Sequence, residues 1–471
     1  MKVDFNKLER AFNPKCIAVV GDKAESRYMW LRSQNSFKGK LYSVQIDPGE
    51  IEGIEALGVE NYASILDIPE PVDLAIIAVP RAVALRILED CIKKEVAAAH
   101  FFTAGFSETD TEEGIQLERL LTEKAEKANF HLIGPNCMGV FNPGIGVGRA
   151  ARQNAGSTGH VGIISQSGTH AAGSLHEAHI HGVDINKAVS FGNGIVLDSA
   201  DYLEYFNRDP GIKVIGMYLE GIKDGRRFLR VLKKVSASKP VVVWKGGRTE
   251  EGDRAIASHT GSLAVPLAIW DAAVRQCGAV KVSSMDELMD TLKALLYLPP
   301  VYGDRVAVTG GSGGQSVAIA DVLAEAGLRL PMLTRESYDE LASFFTLIGG
   351  GYLNPIDTGN PNSRQMKRIL KILEGDANID NLVLLISTSF GPMGPLEANI
   401  KAIVDTKKKT KKPVLAIISW SFQPTAVQQA TDIIHRLQEG GVPAYISLER
   451  GAFALRKALE YYQLKSSMAA Q

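Results

Sequence analysis

Residues 161–174 read Val-Gly-Ile-Ile-Ser-Gln-Ser-Gly-Thr-His-Ala-Ala-Gly-Ser: a β-branched run, then a glycine turn, then the opening of a helix. The same pattern recurs in both directions from this stretch. Short runs rich in β-branched residues alternate with longer amphipathic segments, which is how βαβ units build parallel sheets, so the expected class is α/β. Upstream, strands are expected at 16–21, 41–46, 74–80, 98–104 and 131–135, with helices at 82–94 and 111–128. This set reads as a Rossmann-like domain. Downstream, strands at 161–165, 188–190, 214–219 and 241–245 and a helix at 266–277 that stops at Gly278 make a second set. The proline and glycine punctuation of 297–303 marks a linker. A third set follows, with strands at 305–309, 382–387, 414–418 and 444–447. The expected domains are 1–130, 145–300 and 303–465, in keeping with 471 residues when single cores stop growing near ~250.

Composition narrows the partners. The 52 basic and 53 acidic residues nearly cancel, so no overall field favours nucleic acid or an anionic membrane, and small molecules fit better. The run 407–412 reads as a solvated helix end. Hydrophobic residues at 45% and charged ones at 22% match a soluble globular chain, and no apolar run approaches the ~20 residues of a membrane helix. Four cysteines without paired spacing, and an N-terminus lacking a signal-like apolar stretch, point to a reducing, cytoplasmic setting.

Several segments could carry chemistry. His259, in Arg254-Ala-Ile-Ala-Ser-His-Thr-Gly-Ser262, is expected just outside or at the N-terminus of the helix that has Pro266 in its first turn. There, free N–H groups and the helix dipole would stabilise a phosphate on the imidazole. On spacing alone, a histidine that merely satisfies the chain entering the helix is the commoner case. Ser165, Gln166, Ser167 and Gly168 form a strand-to-helix turn of anion-cradling type, and Gly192, Asn193 and Gly194 follow another strand. Glu220 ends a strand before Gly221, where its carboxylate could accept an N–H from His259 and fix the tautomer. His170, His176, His179 and His181 share one helix and turn without a carboxylate or cysteine at metal spacing, so no metal site is expected. Cys137 lacks an identifiable base and reads as a turn residue near a ligand. The glycine-rich stretch 309–314 lacks the Walker lysine and reads as a tight turn.

Taken in order, GPNCMG (134–139), SQSG (165–168), SFGNGIVLDSADYLEYF (190–206), YLEGIKDGRRF (218–228), KPVVVWKGGRTEEG (239–252) and ASHTGSLA (257–264) closely resemble the ADP-forming (NDP-forming) acyl-CoA synthetases, relatives of succinyl-CoA synthetase. The resemblance runs over nearly the whole chain. It implies a CoA-binding first domain and two flavodoxin-like ligase domains. It places the phosphoryl-carrying histidine at His259 and its orienting glutamate at Glu220. The implied cofactor is CoA, bound near Gly21, Lys23, Arg27, Pro80, Asn136 and Cys137. ATP or ADP and Mg²⁺ would sit on a separate ATP-grasp β subunit, in an α2β2 heterotetramer. The implied reaction interconverts acyl-CoA, phosphate and ADP with acid, CoA and ATP, and motion of a loop or domain would join the separated sites.

The chain departs from the family pattern in two turns. Gly21-Asp-Lys-Ala-Glu-Ser-Arg27 stands where members carry Gly-Ala-Ser, and Val44-Gln-Ile-Asp-Pro48 replaces Val-Asn-Pro-Lys. Asp22 and Asp47 are expected to repel phosphate, with Lys23 and Arg27 partly replacing the lost charge. Two other readings stay open: a nucleotide-independent acyl or carbamoyl transferase of the same fold, and a non-catalytic CoA sensor. A nicotinamide-dependent dehydrogenase is a more distant one.

Overall fold

The structure, a computed structural model, describes residues 2–148, 155–260, 266–311, 313–348, 350–387, 393–419 and 424–469. It divides into two compact units, one of residues 1–179 with 184–285 and one of residues 180–183 with 286–471.

The first unit holds two sheets. β1 (Cys16–Val20), β2 (Lys40–Val44), β3 (Glu60–Tyr62), β4 (Leu74–Ile77), β5 (Ala98–Phe101) and β6 (His131–Ile133) pair in parallel in the order 3-2-1-4-5-6. That is the dinucleotide-fold order, with its switch point between β1 and β4. β1 is buried at all five positions, as a strand covered on both faces must be, which explains the uninterrupted apolar run Cys-Ile-Ala-Val-Val. The second sheet comprises β7 (Gly139–Phe141), β8 (Val161–Ser165), β9 (Ile185–Ser190), β10 (Val214–Leu219), β11 (Val241–Lys245) and β12 (Val280–Val282), in the order 12-11-10-8-9-7. Strands 8 to 12 follow the flavodoxin order, and β7 adds an antiparallel edge that the sequence did not reveal. The chain leaves β8 towards β9 and returns across it to β10, so β8 marks the switch point.

The two sheets share one core. Phe12, at the end of the helix Phe5–Phe12, packs with ring centroids 4.9–6.4 Å from Tyr202, Tyr205 and Phe206 of the helix Ser199–Arg208. Tyr205 donates its hydroxyl to Glu9 at 2.8 Å, and Asn142 donates to the Phe12 carbonyl at 2.8 Å. Complete burial of Phe12 contributes about 2–3 kcal/mol, before any gain from ring geometry.

In the second unit, β13 (Val306–Gly311), β14 (Ile356–Asp357), β15 (Asn381–Ser387), β16 (Val414–Ser419) and β17 (Ala444–Tyr445) run in the order 14-13-15-16-17, again the flavodoxin arrangement. Its core includes Leu384, Ile386, Ala416, Ile418 and Ile369. The expected α/β class therefore holds in all three sheets. Among the described residues, no helix is long and apolar enough to cross a membrane.

Candidate functional site

Sheets of this kind collect ligands at the carboxyl ends of their strands, beside the switch point. In the second sheet that place is the turn after β8. Ser165 is fully buried and closes the turn on itself, donating to the Ser167 carbonyl at 2.7 Å and accepting from the Ser167 N–H at 3.2 Å. Ser167 accepts from the His170 N–H at 3.3 Å, and at Gly168 the helix Gly168–Ile180 begins with its positive end over the strand edge. Gln166 spans to the neighbouring strand: its N–H donates to the Tyr218 carbonyl at 3.0 Å, and its Oε1 accepts from the N–H groups of Glu220 at 2.8 Å and Gly221 at 3.0 Å. This fixes the turn that carries the Glu220 carboxylate. Glu220 is 4% exposed. Burial, then the charge and hydrogen bond of Glu220, push the Tyr218 phenol up from its ordinary value, while its ring stacks on His170 at 4.1 Å.

The turn after β9 meets the turn after β6. Gly192 has φ +50°, and a Cβ there would lie 2.2 Å from the Pro135 carbonyl oxygen and 2.3 Å from that of Asn136. Only glycine allows so close an approach. The Asn193 and Ile195 N–H groups donate to the carbonyls of Pro135 and Gly134, both at 3.1 Å, and Gly194 closes the turn on Phe191. Asn136 and Cys137, from one expected site, thus lie against Gly192, Asn193 and Gly194, from another. The Asn193 side chain is committed elsewhere. Its amide donates to Glu108 at 2.7 Å and Glu118 at 2.9 Å, so the carboxylates occupy the donors that a phosphate would need. Cys137 is 3% exposed and its thiol is pushed up to about 12 by burial, which removes it as a nucleophile at neutral pH.

His259 is placed differently from the expectation. It belongs to the last turn of the helix Glu250–Thr260, not to the N-terminus of the helix Leu267–Gln276. Glu250, Glu251 and Asp253 in the first turn suit the positive end of that earlier helix, and Ala255 and Ala257 favour its continuation through position 259. The expected N–H from His259 to Glu220 falls outside the described side chains.

At the first sheet, a cavity of about 130 Å³ opens at the switch point, with Gly21, Gln45, Ser64, Val79 and Arg86 among its lining residues. Gly21, at φ +84°, brings β1 against the turn after β4; a Cβ would stand 2.5 Å from Val79. Pro80 precedes the helix Arg81–Lys93 and is exposed. Asp22 does not face this cavity as a free charge. It is 2% exposed and accepts from the N–H groups of Trp30 and Leu31, both at 2.9 Å, and from Lys23 N–H and Ser26 Oγ. Its expected repulsion of phosphate is therefore replaced by a capping role for the helix Met29–Arg32. Asp47 likewise caps the helix Pro48–Glu55 through the Gly49 N–H at 3.0 Å. Lys23 and Arg27 are exposed, and Arg86 adds a third exposed cation that carried no motif in the sequence. Arg86 lines this cavity together with Asp90, whereas Lys23 and Arg27 are not among its lining residues.

Comparison with known proteins agrees with this arrangement. The CoA binding domain family matches residues 15–143, and the succinyl-CoA ligase like flavodoxin domain family matches residues 158–295. The α subunit of the ADP-forming acetate–CoA ligase II of Pyrococcus furiosus is 36% identical, over 93% of this chain and 94% of that subunit. The ADP-forming acetate–CoA ligase I of Archaeoglobus fulgidus is 38% identical over 83% of this chain; the match spans 56% of that longer relative. Among solved structures, the dinucleotide-forming acetyl-coenzyme A synthetase 1 of Ca. Korarchaeum cryptofilum, in complex with phosphate and ADP, aligns with a TM-score of 0.83 and 32% identity, covering 98% of both chains. Similarity at this level along almost all of both chains establishes that the chain belongs to the ADP-forming acyl-CoA ligase family.

Proposed function

We propose that this chain acts as the α subunit of an ADP-forming acyl-CoA synthetase, interconverting acyl-CoA, phosphate and ADP with acid, CoA and ATP through a phosphohistidine at His259. The observation that carries the reading is the double acceptance by Gln166 Oε1, which fixes the Glu220 turn beside the helix N-terminus at Gly168. A buried carboxylate held in this way can orient an imidazole and stabilise its cationic form as a phosphoryl group arrives. Imidazole suits the relay because its neutral form is nucleophilic near pH 7.

In this reading residues 1–130 bind CoA, 145–300 hold the phosphoryl-transfer site, and 303–465 form a further ligase domain. Phosphate attacks the thioester to give an acyl phosphate and CoA, and His259 takes the phosphoryl group from it. An ATP-grasp subunit carrying Mg²⁺ then passes the group to ADP, within an α2β2 assembly. Phosphate would lie at the N-terminal end of the helix that begins at Gly168, while CoA would use Gly21, Lys23, Arg27, Pro80 and the Asn136–Cys137 turn.

The test is phosphoryl labelling of the chain with its partner, from ATP and Mg²⁺ or from acetyl-CoA with labelled phosphate. The label is expected to be acid-labile and alkali-stable, and His259→Ala should abolish it. Full labelling of that variant would overturn the relay.

A further inference from the structure

Asn193 sits in the turn after β9 and is 4% exposed. Its side chain leaves the second sheet. Nδ2 donates to Glu108 Oε2 at 2.7 Å and to Glu118 Oε2 at 2.9 Å, which commits both N–H groups of the amide. Hydrogen bonds to carboxylates are charge-assisted and roughly twice as strong as neutral ones. Asn193 Oδ1 is buried and has no hydrogen-bond partner among the described residues. The two carboxylates therefore set the orientation of the amide, because turned over it would place its oxygen against both.

Those carboxylates hold a loop of the first sheet. Glu108 accepts from the N–H groups of Gly105 at 2.6 Å and Phe106 at 3.1 Å. Glu118, on the helix Glu112–Lys127, accepts from Ser107 Oγ at 2.6 Å. Arg81, which opens the helix Arg81–Lys93, donates to the Gly105 carbonyl at 2.7 Å. Residues 105–107 follow β5, at the carboxyl edge where sheets of this order collect ligands. The backbone of the same β9 turn already bonds to the turn after β6, through the Asn193 and Ile195 N–H groups. One turn of the second sheet thus grips two adjacent turns of the first, one with its backbone and one with a side chain.

We infer that Asn193 is a positioning residue for acyl transfer, fixing the loop after β5 through Glu108 and Glu118 and so holding the first sheet's edge against the second. This rests on the functional reading above, in which a thioester carried on the first edge must meet phosphate on the second. A displacement of about 1 Å between reacting groups can cost about 100-fold in rate. The step from ATP through the partner to His259 uses no CoA, so it does not need this alignment.

Asn193→Asp in the complete complex keeps the shape and sets a third carboxylate against two. His259 labelling is read by two routes, from acetyl-CoA with labelled phosphate and from ATP with Mg²⁺. The first is expected to fall about 30-fold, while the second and the calorimetric affinity for CoA stay within about twofold. Adding Glu118→Gln returns a donor to the pair and should recover the first route to within about fivefold of the parent. A folded Asn193→Asp protein in which the two routes are unchanged, or fall together, would overturn the inference, since a merely structural amide has no reason to spare one of them. If that variant does not fold, Glu118→Gln alone decides, because it lies on a half-buried helix face. A fall of about threefold confined to the first route upholds the inference, and routes that stay equal overturn it. Labelling that survives His259→Ala would instead sink the functional reading, whatever Asn193 does.

Discussion

At the carboxyl edge of the second sheet, Ser165, Gln166, Glu220 and Lys245 are all buried and bonded into one another's turns. At the corresponding edge of the first sheet, Arg86 stands exposed at a cavity, Lys23 and Arg27 are exposed in the turn after β1, and the buried acid Asp22 is occupied with a helix. The two edges come from the same kind of fold, yet one is built for fixed geometry and the other for accommodation. Transition-state stabilisation needs groups already in place, because reorienting them costs free energy at the moment of reaction. Holding a flexible, highly charged cofactor needs less, since exposed cations can adjust to its phosphates.

Substitutions can break or sharpen this contrast. The largest effect is expected from Glu220→Gln, which keeps the shape and removes the charge. Phosphoryl labelling should slow by about 10²–10³-fold, while calorimetric affinity for CoA stays within about twofold. Loss of CoA affinity on the same scale would show that the edges are not separable. Next comes Gly192→Ala, which forces a side chain towards two carbonyl oxygens at a positive φ. A loss of about 2–3 kcal/mol in unfolding free energy is expected, with both labelling and CoA binding impaired, because this turn joins the two edges. An unchanged melting curve would contradict that account. The smallest effect belongs to the double variant Lys23→Ala, Arg27→Ala. CoA affinity should fall by about 1–2 kcal/mol at low ionic strength and by less at high salt, with labelling from ATP and the partner unaffected. An equal loss at both salt concentrations would argue for contacts other than exposed charges.

Much of this was legible in the sequence, for definite reasons. Strands such as Val161–Ser165, Val214–Leu219 and Val241–Lys245 could be read to the residue because strands covered on both faces are apolar throughout and end where polar turns begin. Gly139–Phe141 could not, because three residues give no period and its pairing partner lies far along the chain. The helix Glu250–Thr260 was overlooked in favour of the proline at 266, although its acidic first turn was visible. Asp22 misled because its charge could be read and its four donors could not: two of them lie eight and nine residues ahead. Lys245 and Gln166 carried no signal beyond their place in a motif. Their importance lies in bonds to a neighbouring strand, which pairing alone creates.

The knot around Phe12 also bears on how the chain is made. The helix Phe5–Phe12 emerges from the ribosome well before its aromatic partners, and the hydroxyl that reaches Glu9 follows that residue by 196 positions. At about 5–20 residues per second that delay is about 10–40 s, during which Leu8 and Phe12 have no companion from the second sheet. The nascent first sheet therefore carries these apolar side chains uncovered by the second sheet until residue 206 is clear of the exit tunnel. For the same reason, a fragment cut between the two sheets would expose these side chains and clump, however well its own strands pair.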